Sequence, residues 1–156
     1  MKKAYWLLFL LVAGCDSTRL YEQNHDFEKN CWKTSEKPEF SFHISDTTVA
    51  YNLYANIRND TDYPFSNLYF NFRISDTTGV IHEKLLSAEL FDRKTGKPLG
   101  SSGIGFLFDH RVPLLQGHRF TRRSTYTIRF EHFMRKDTIC GIRAIGLRVE
   151  TMRKNE

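Results

Sequence analysis

No apolar run in this chain is long enough to cross a bilayer. The most apolar one, Ala4 to Ala13, covers ten residues, half of the ~20 that a spanning helix needs. Sustained helical periodicity is missing too, with Glu83 to Phe91 the only candidate. Cysteine is scarce, three in 156 residues, and the absence of C-x-x-C spacing leaves no cysteine-based metal site. The six histidines, His25, His43, His82, His110, His118 and His132, include no H-x-H or H-E-x-x-H pair. No G-x-S-x-G elbow exists to present a nucleophile. A strong charge surplus is also lacking. The basic residues are dispersed, which argues against nucleic acid as a partner.

What is present begins at the N-terminus. Lys2 and Lys3 precede the apolar Ala4–Ala13 segment, and Val12-Ala13-Gly14-Cys15 closes it. A positive n-region followed by a short h-region is the pattern of an export signal. Two small residues directly before a cysteine make it the lipobox of bacterial lipoproteins, cut between Gly14 and Cys15. Cys15 is then the expected lipidation site, carrying an S-diacylglyceryl group and an N-acyl chain. Conventional signal cleavage after Val-Ala-Gly is the competing reading. One acyl chain binds only marginally at ~0.8 kcal/mol per methylene, so two or three chains are what make an anchor permanent. Everything after Cys15 is expected to fold outside the cytoplasm. Cutting there leaves 142 residues with 21 basic against 18 acidic, a net charge of +3.

Residues 15–38 are polar and aperiodic, with Tyr21, Phe27 and Trp32 scattered among them. They read as a lipidated tether, reaching roughly 25–30 Å as a flexible coil, with Trp32 docking on the domain that follows. Cys31 and Cys140 remain once Cys15 is used. In an oxidising compartment they can pair, closing a long loop worth ~4.7 kcal/mol in the chain-entropy model. Sequence says nothing of their spatial separation, and two separate thiols are the preferred expectation.

After Pro38 the hydrophobic period becomes two. Phe40, Phe42 and Ile44 alternate with polar neighbours, as do Tyr51, Leu53, Ala55 and Ile57, and then Leu68, Phe70, Phe72 and Ile74. Each run is a strand with one dry and one wet face. Turn chemistry separates them at Asp46-Thr47-Thr48, Asn59-Asp60-Thr61-Asp62 and Asp76-Thr77-Thr78-Gly79. The repeated Phe-x-Ile-Ser-Asp-Thr-Thr at 42–48 and 72–78 reads as two strands ending in the same Asp-capped turn. Val80 to Leu86 returns as a strand. Asp92 to Gly96 reads as a hairpin loop with Gly96 at positive φ. Pro113 marks an edge or an ending. Tyr126, Ile128 and Phe130 form another strand, broken in phase at Phe133-Met134, and Ile145, Leu147 and Val149 form the last. About eight short strands in residues 39–156 indicate one antiparallel β-sandwich, jelly-roll or immunoglobulin-like.

In its ordered stretches the chain resembles the GldH family of gliding-motility lipoproteins of the Bacteroidetes. The stretches are Cys15 to Arg19, Asp46 through Tyr51-Asn52-Leu53-Tyr54 to Asn59, and Tyr63 to Tyr69. They continue with Thr95 to Gly100, Phe108-Asp109, Tyr126 to Arg135, and Gly146 to Glu150. The resemblance implies a non-enzymatic accessory lipoprotein of the machinery that moves adhesins over the cell surface, linked to type IX secretion. Its partners would be other envelope proteins of that machinery and the membrane itself. It assigns no cofactor, no metal and no site residue beyond Cys15. The outer membrane, facing the periplasm, is the expected location, since no acidic run follows Cys15.

Two other functional classes compete with that one. A glycan-binding module would use Tyr54, Tyr69 and Phe133, which lie on outward phases; the plainer reading is cross-strand pairs or a protein interface. A hydrolase would use a carboxylate pair among Glu83, Glu89, Asp109 and Glu131. Asp109-His110 with His118 offers metal-ligand chemistry, although loop polarity explains these residues more simply. Arg119, Arg122 and Arg123 are the densest basic cluster. They read as a solvated turn, with an anionic lipid or glycan contact as the alternative. Asp-Thr turns at Thr47, Thr77 and Thr138 resemble acceptor motifs for O-glycosylation.

Overall fold

The computed structural model describes residues 17–152; Cys15 and the leader lie outside that range. Eleven strands form: β1 (Arg19–Asp26), β2 (Cys31–Lys33), β3 (Glu39–Ile44), β4 (Tyr51–Asp60), β5 (Asn67–Asp76) and β6 (Gly79–Glu89). They continue as β7 (Ser101–Ser102), β8 (Leu107–His118), β9 (Ser124–His132), β10 (Thr138–Cys140) and β11 (Ile142–Thr151). One sheet has the order β1-β11-β4-β8-β7 and the facing sheet the order β3-β9-β5-β6, with β2 and β10 paired at one end. All pairings are antiparallel. The protein is all-β, as the alternation implies. The strands that the alternation does not announce are β1, β2 and β10, together with the two-residue β7. Asp92–Gly96 is a turn closed by a single Phe91–Pro98 bridge, with Gly96 at φ +67°.

The inward residues are those that the period-two runs name. Phe40, Phe42, Ile44, Phe70, Phe72, Ile74, Tyr126, Ile128 and Phe130 face Leu53, Ala55, Ile57, Ile145, Leu147 and Val149, all buried in one core. Glu83 to Phe91 has no helix; its first seven residues belong to β6. Pro113 sits inside β8 opposite Tyr54, where two register shifts bend the ladder. Beyond the two-residue β7, that side of β8 is a sheet edge, so a residue without an N–H is tolerated. The two Asp-Thr-Thr turns are copies of one another. Asp46 Oδ1 accepts from the Thr48 amide at 2.8 Å and hydroxyl at 2.7 Å, and Asp76 Oδ1 from those of Thr78 at 2.8 and 2.6 Å.

The expected tether over 15–38 needs correction, because from Arg19 onward it belongs to the sandwich. β1 pairs with β11 from Arg19–Glu150 to Asp26–Ala144, and the Phe27 amide continues the ladder to Arg143 O. An edge strand buries one face at most. Here Tyr21, packed against Phe42 at 6.1 Å, is its main inward contribution, so the local sequence looks polar. Trp32 is not a docking point but part of the core, with 0% exposure. The preference for separate thiols is overturned as well. β2 and β10 set Cys31 opposite Cys140, with Cα atoms 4.0 Å apart, and the two are disulfide-bonded. Gly141, at φ +87°, follows directly. A Cβ there would fall 2.5 Å from the Tyr63 Cα, so only glycine fits this crossing.

Candidate functional site

Three places on the molecule hold enough chemistry to consider. The first is the outer face of the larger sheet. Arg148 of β11 follows the polar phase, yet it is buried, because β11 is flanked on both sides and acidic side chains close over it. Its Nη1 donates to Glu22 at 2.7 Å and its Nε to Glu150 at 2.5 Å. Arg111 caps Glu150 at 3.6 Å and lies 5.7 Å from the centre of the Tyr54 ring. Beside this group, Arg58 holds Asp109 through two hydrogen bonds of 2.7 and 3.3 Å. A groove of about 510 Å³ runs between them, lined among others by Glu22, Asn56, Arg58 and Asp109. Burial works against ionising Glu22, but hydrogen bonds from Arg19, Asn56 and Arg148 win and hold its pKa below the usual carboxylate range.

The second place is the start of β8, where His110 also lines that groove. The Asn59 amide nitrogen donates to Asp60 O at 3.0 Å, leaving its oxygen to accept from His110 Nε2 at 2.8 Å. With the amide so oriented, the ring nitrogen that faces Asn59, Nε2, carries a proton. Burial pushes the His110 pKa down, and the same cause lowers His118 and His132. A histidine depressed in the folded state binds its proton more readily when unfolded. Its stabilisation is present above the unfolded value near ~6.5 and is lost as pH falls from there through the lower folded value. The urea midpoint is therefore expected to fall between pH 7.5 and pH 5.5, before the carboxylates titrate. His132→Phe should reduce that drop. Equal midpoints at the two pH values would contradict the assignment.

The third place is the outer face of the smaller sheet. Here Arg73 pairs with Glu83, Lys37 with Glu131, and Arg129 with Glu39. Tyr69 and Phe133 are neighbours on this face, since the Phe133 amide donates to Tyr69 O at 2.8 Å. Tyr54 is on the opposite sheet, so the three outward aromatics do not make one platform. The four carboxylates do not make one group: Asp109 lies on the larger sheet, Glu89 is tied to Arg93 at the end of β6, and Glu83 and Glu131 flank β5 from either side, both acting on Arg73. Hydrogen bonds from Arg73 and Arg93 hold Glu83 and Glu89 below the carboxylate norm, the opposite of what a general acid needs. His110 and His118 are eight residues apart along one strand, roughly 26 Å, so they cannot share an ion. Among the described residues, no group of three or more His, Cys, Asp or Glu side chains is placed to hold a metal. No described helix is long and apolar enough to cross a membrane.

Sequence reading missed the Glu22–Arg148–Glu150 cluster and the Phe27–Trp32 corner. Alternation assigns Arg148 to the wet side correctly but carries no signal that neighbours will cover it.

Fold and surfaces together define a small all-β sandwich module whose outer faces carry paired charges. Residues 19–149 match the family model described as GldH lipoprotein, and the chain belongs to that family. It is 26% identical over 148 residues to the gliding motility lipoprotein GldH homolog of Christiangramia forsetii, covering 90% of this chain and 89% of that one. It is 23% identical over 152 residues to the gliding motility lipoprotein GldH of Flavobacterium johnsoniae, with 92% of each covered. No solved structure matches it.

Proposed function

We propose that this chain is a lipid-anchored, non-catalytic component of a gliding motility apparatus linked to type IX secretion. In this reading it is held at the outer membrane by Cys15 and faces the periplasm. The observation that carries the reading is the family match across 19–149, nearly the whole described domain, together with the lipobox Val12-Ala13-Gly14-Cys15 just ahead of it. Both named relatives are gliding motility lipoproteins. The ion-paired faces support an adaptor role, because fixed charge pairs on rigid strands offer specificity to a docking protein.

Cys15→Ser removes the thiol that carries the diacylglyceryl group. The bulk of the protein is expected to leave the membrane fraction on flotation, and colonies of the organism that makes it should stop spreading. Spreading at the wild-type rate with the variant, or after deletion of the whole gene, would remove this reading. Crosslinking followed by affinity purification of the acylated protein would then name the neighbours.

A further inference from the structure

Both sheets end together at the pole where the described chain begins. Thr151 donates to Thr18 O and Met152 to Ala50 O, both at 2.8 Å, while Tyr51 lies opposite both Thr151 and His118. The smaller sheet reaches the same pole. Tyr51 Oη donates to Asp46 O at 2.6 Å, and Arg119 Nη1 to Thr48 O at 2.5 Å. The turns that carry Asp46 and Asp76 terminate β3 and β5, which run side by side in the same direction on either flank of β9.

What this pole shows to solvent is a mixed surface. Arg119, Arg122 and Arg123 are exposed. Val80 and Ile81, just past the β5–β6 turn, are 55% and 43% exposed, and Met152 is 46% exposed. The two turn carboxylates, Asp46 and Asp76, are already engaged. Each is held in its ionised form first by the hydroxyl and amide of its own turn threonine, then by Arg123 beside Asp46 and Arg122 beside Asp76.

We propose that this pole is a bilayer-contact surface, with Arg119, Arg122 and Arg123 meeting the phosphates of anionic phospholipid while Val80, Ile81 and Met152 settle at the glycerol level. It rests on acylation of Cys15 as read above. From Cys15 to Thr18 is three residues, at most about 11 Å of extended chain. Acyl chains at Cys15 therefore bring this pole, and not the disulfide pole, against the headgroup layer. Guanidinium forks suit phosphate oxygens, and each basic residue near an anionic surface favours partitioning on the order of five-fold. The sandwich then stands on the membrane with its β2–β10 end outward, and its orientation is set by contact as well as by the anchor.

The test uses the full acylated protein in vesicles, with a tryptophan as depth reporter. Trp32 is buried at the far pole and Trp6 is in the leader, so Val80→Trp adds one membrane-side probe and Leu99→Trp one at the opposite pole. In brominated phosphatidylglycerol vesicles the Val80→Trp emission is expected to shift to the blue and be quenched, while Leu99→Trp is not. Met152→Trp serves as the second near-side reporter should Val80→Trp fail to fold. Arg122→Glu with Arg123→Glu should cut the contacting population at least about 25-fold. Brominated phosphatidylcholine, or 0.5 M salt, should weaken quenching of the wild-type pole. Equal quenching at both poles, or none at either with the protein still floating with the vesicles, would overturn the contact surface and leave the anchor standing. Intact mass is read on the same sample. A chain lacking acyl mass at Cys15 would overturn the anchoring reading, and the contact surface would fall with it.

Discussion

Replacing Cys31 and Cys140 together by serine is expected to destabilise the protein by about 4–5 kcal/mol, lowering its urea midpoint by roughly 2 M. The bond joins residues 109 apart in sequence, so the unfolded chain loses a large loop's worth of freedom when it is closed. In the folded state it joins directly opposed residues of the two-stranded β2–β10 ladder, and the bond locks that ladder at the end of the sandwich. Equilibrium unfolding with and without reductant measures the effect on the wild-type chain, and the double variant should match the reduced protein. β1 has its own ladder to β11, so the first strand should stay in place at low denaturant. A midpoint that does not move would mean that the closed loop contributes nothing to the balance between folded and unfolded chain.

Trp32→Ala should destabilise by a similar amount, about 3–5 kcal/mol. The indole is fully buried, stacked on Phe27 with centroids 4.9 Å apart and edge-on to His132 at 5.3 Å. Its Nε1–H donates to Glu36 O at 2.8 Å. Truncation opens a cavity among rigid strand residues and leaves that carbonyl without its partner. Trp32→Phe retains most of the packing and should lose markedly less. Because Trp32 and Cys31 are adjacent, the two perturbations are expected to be non-additive, and a double-mutant cycle would give their coupling. A loss below ~1 kcal/mol, the size of a surface contact, would mean that residues 27–38 are draped on the domain and not part of its core.

Both predictions concern the segment that reads least clearly from sequence. Its residues obey no period because β1 is an edge strand with a wet outer face. Phe27 and Trp32 are joined to the core by a turn and a three-residue strand, too short for alternation to show. Arg148 teaches the same lesson on the opposite side of the sheet: its face is legible, while its burial between Glu22 and Glu150 is not. The candidate carboxylates and histidines likewise look interchangeable along the chain and turn out to be distributed over both sheets and both poles.

The dry faces of β3, β4, β5, β9 and β11 and the two Asp-Thr-Thr turns were readable from residue order alone. A strand's two sides alternate strictly, and a turn is closed by atoms two residues apart, so both are local facts. The partner of each strand is not local. That β1 pairs with β11, that Cys31 meets Cys140, and that residue 17 shares a pole with Arg119, Arg122 and Arg123 depend on contacts between residues roughly a hundred or more apart. Such contacts are decided only when the whole apolar surface is buried at once.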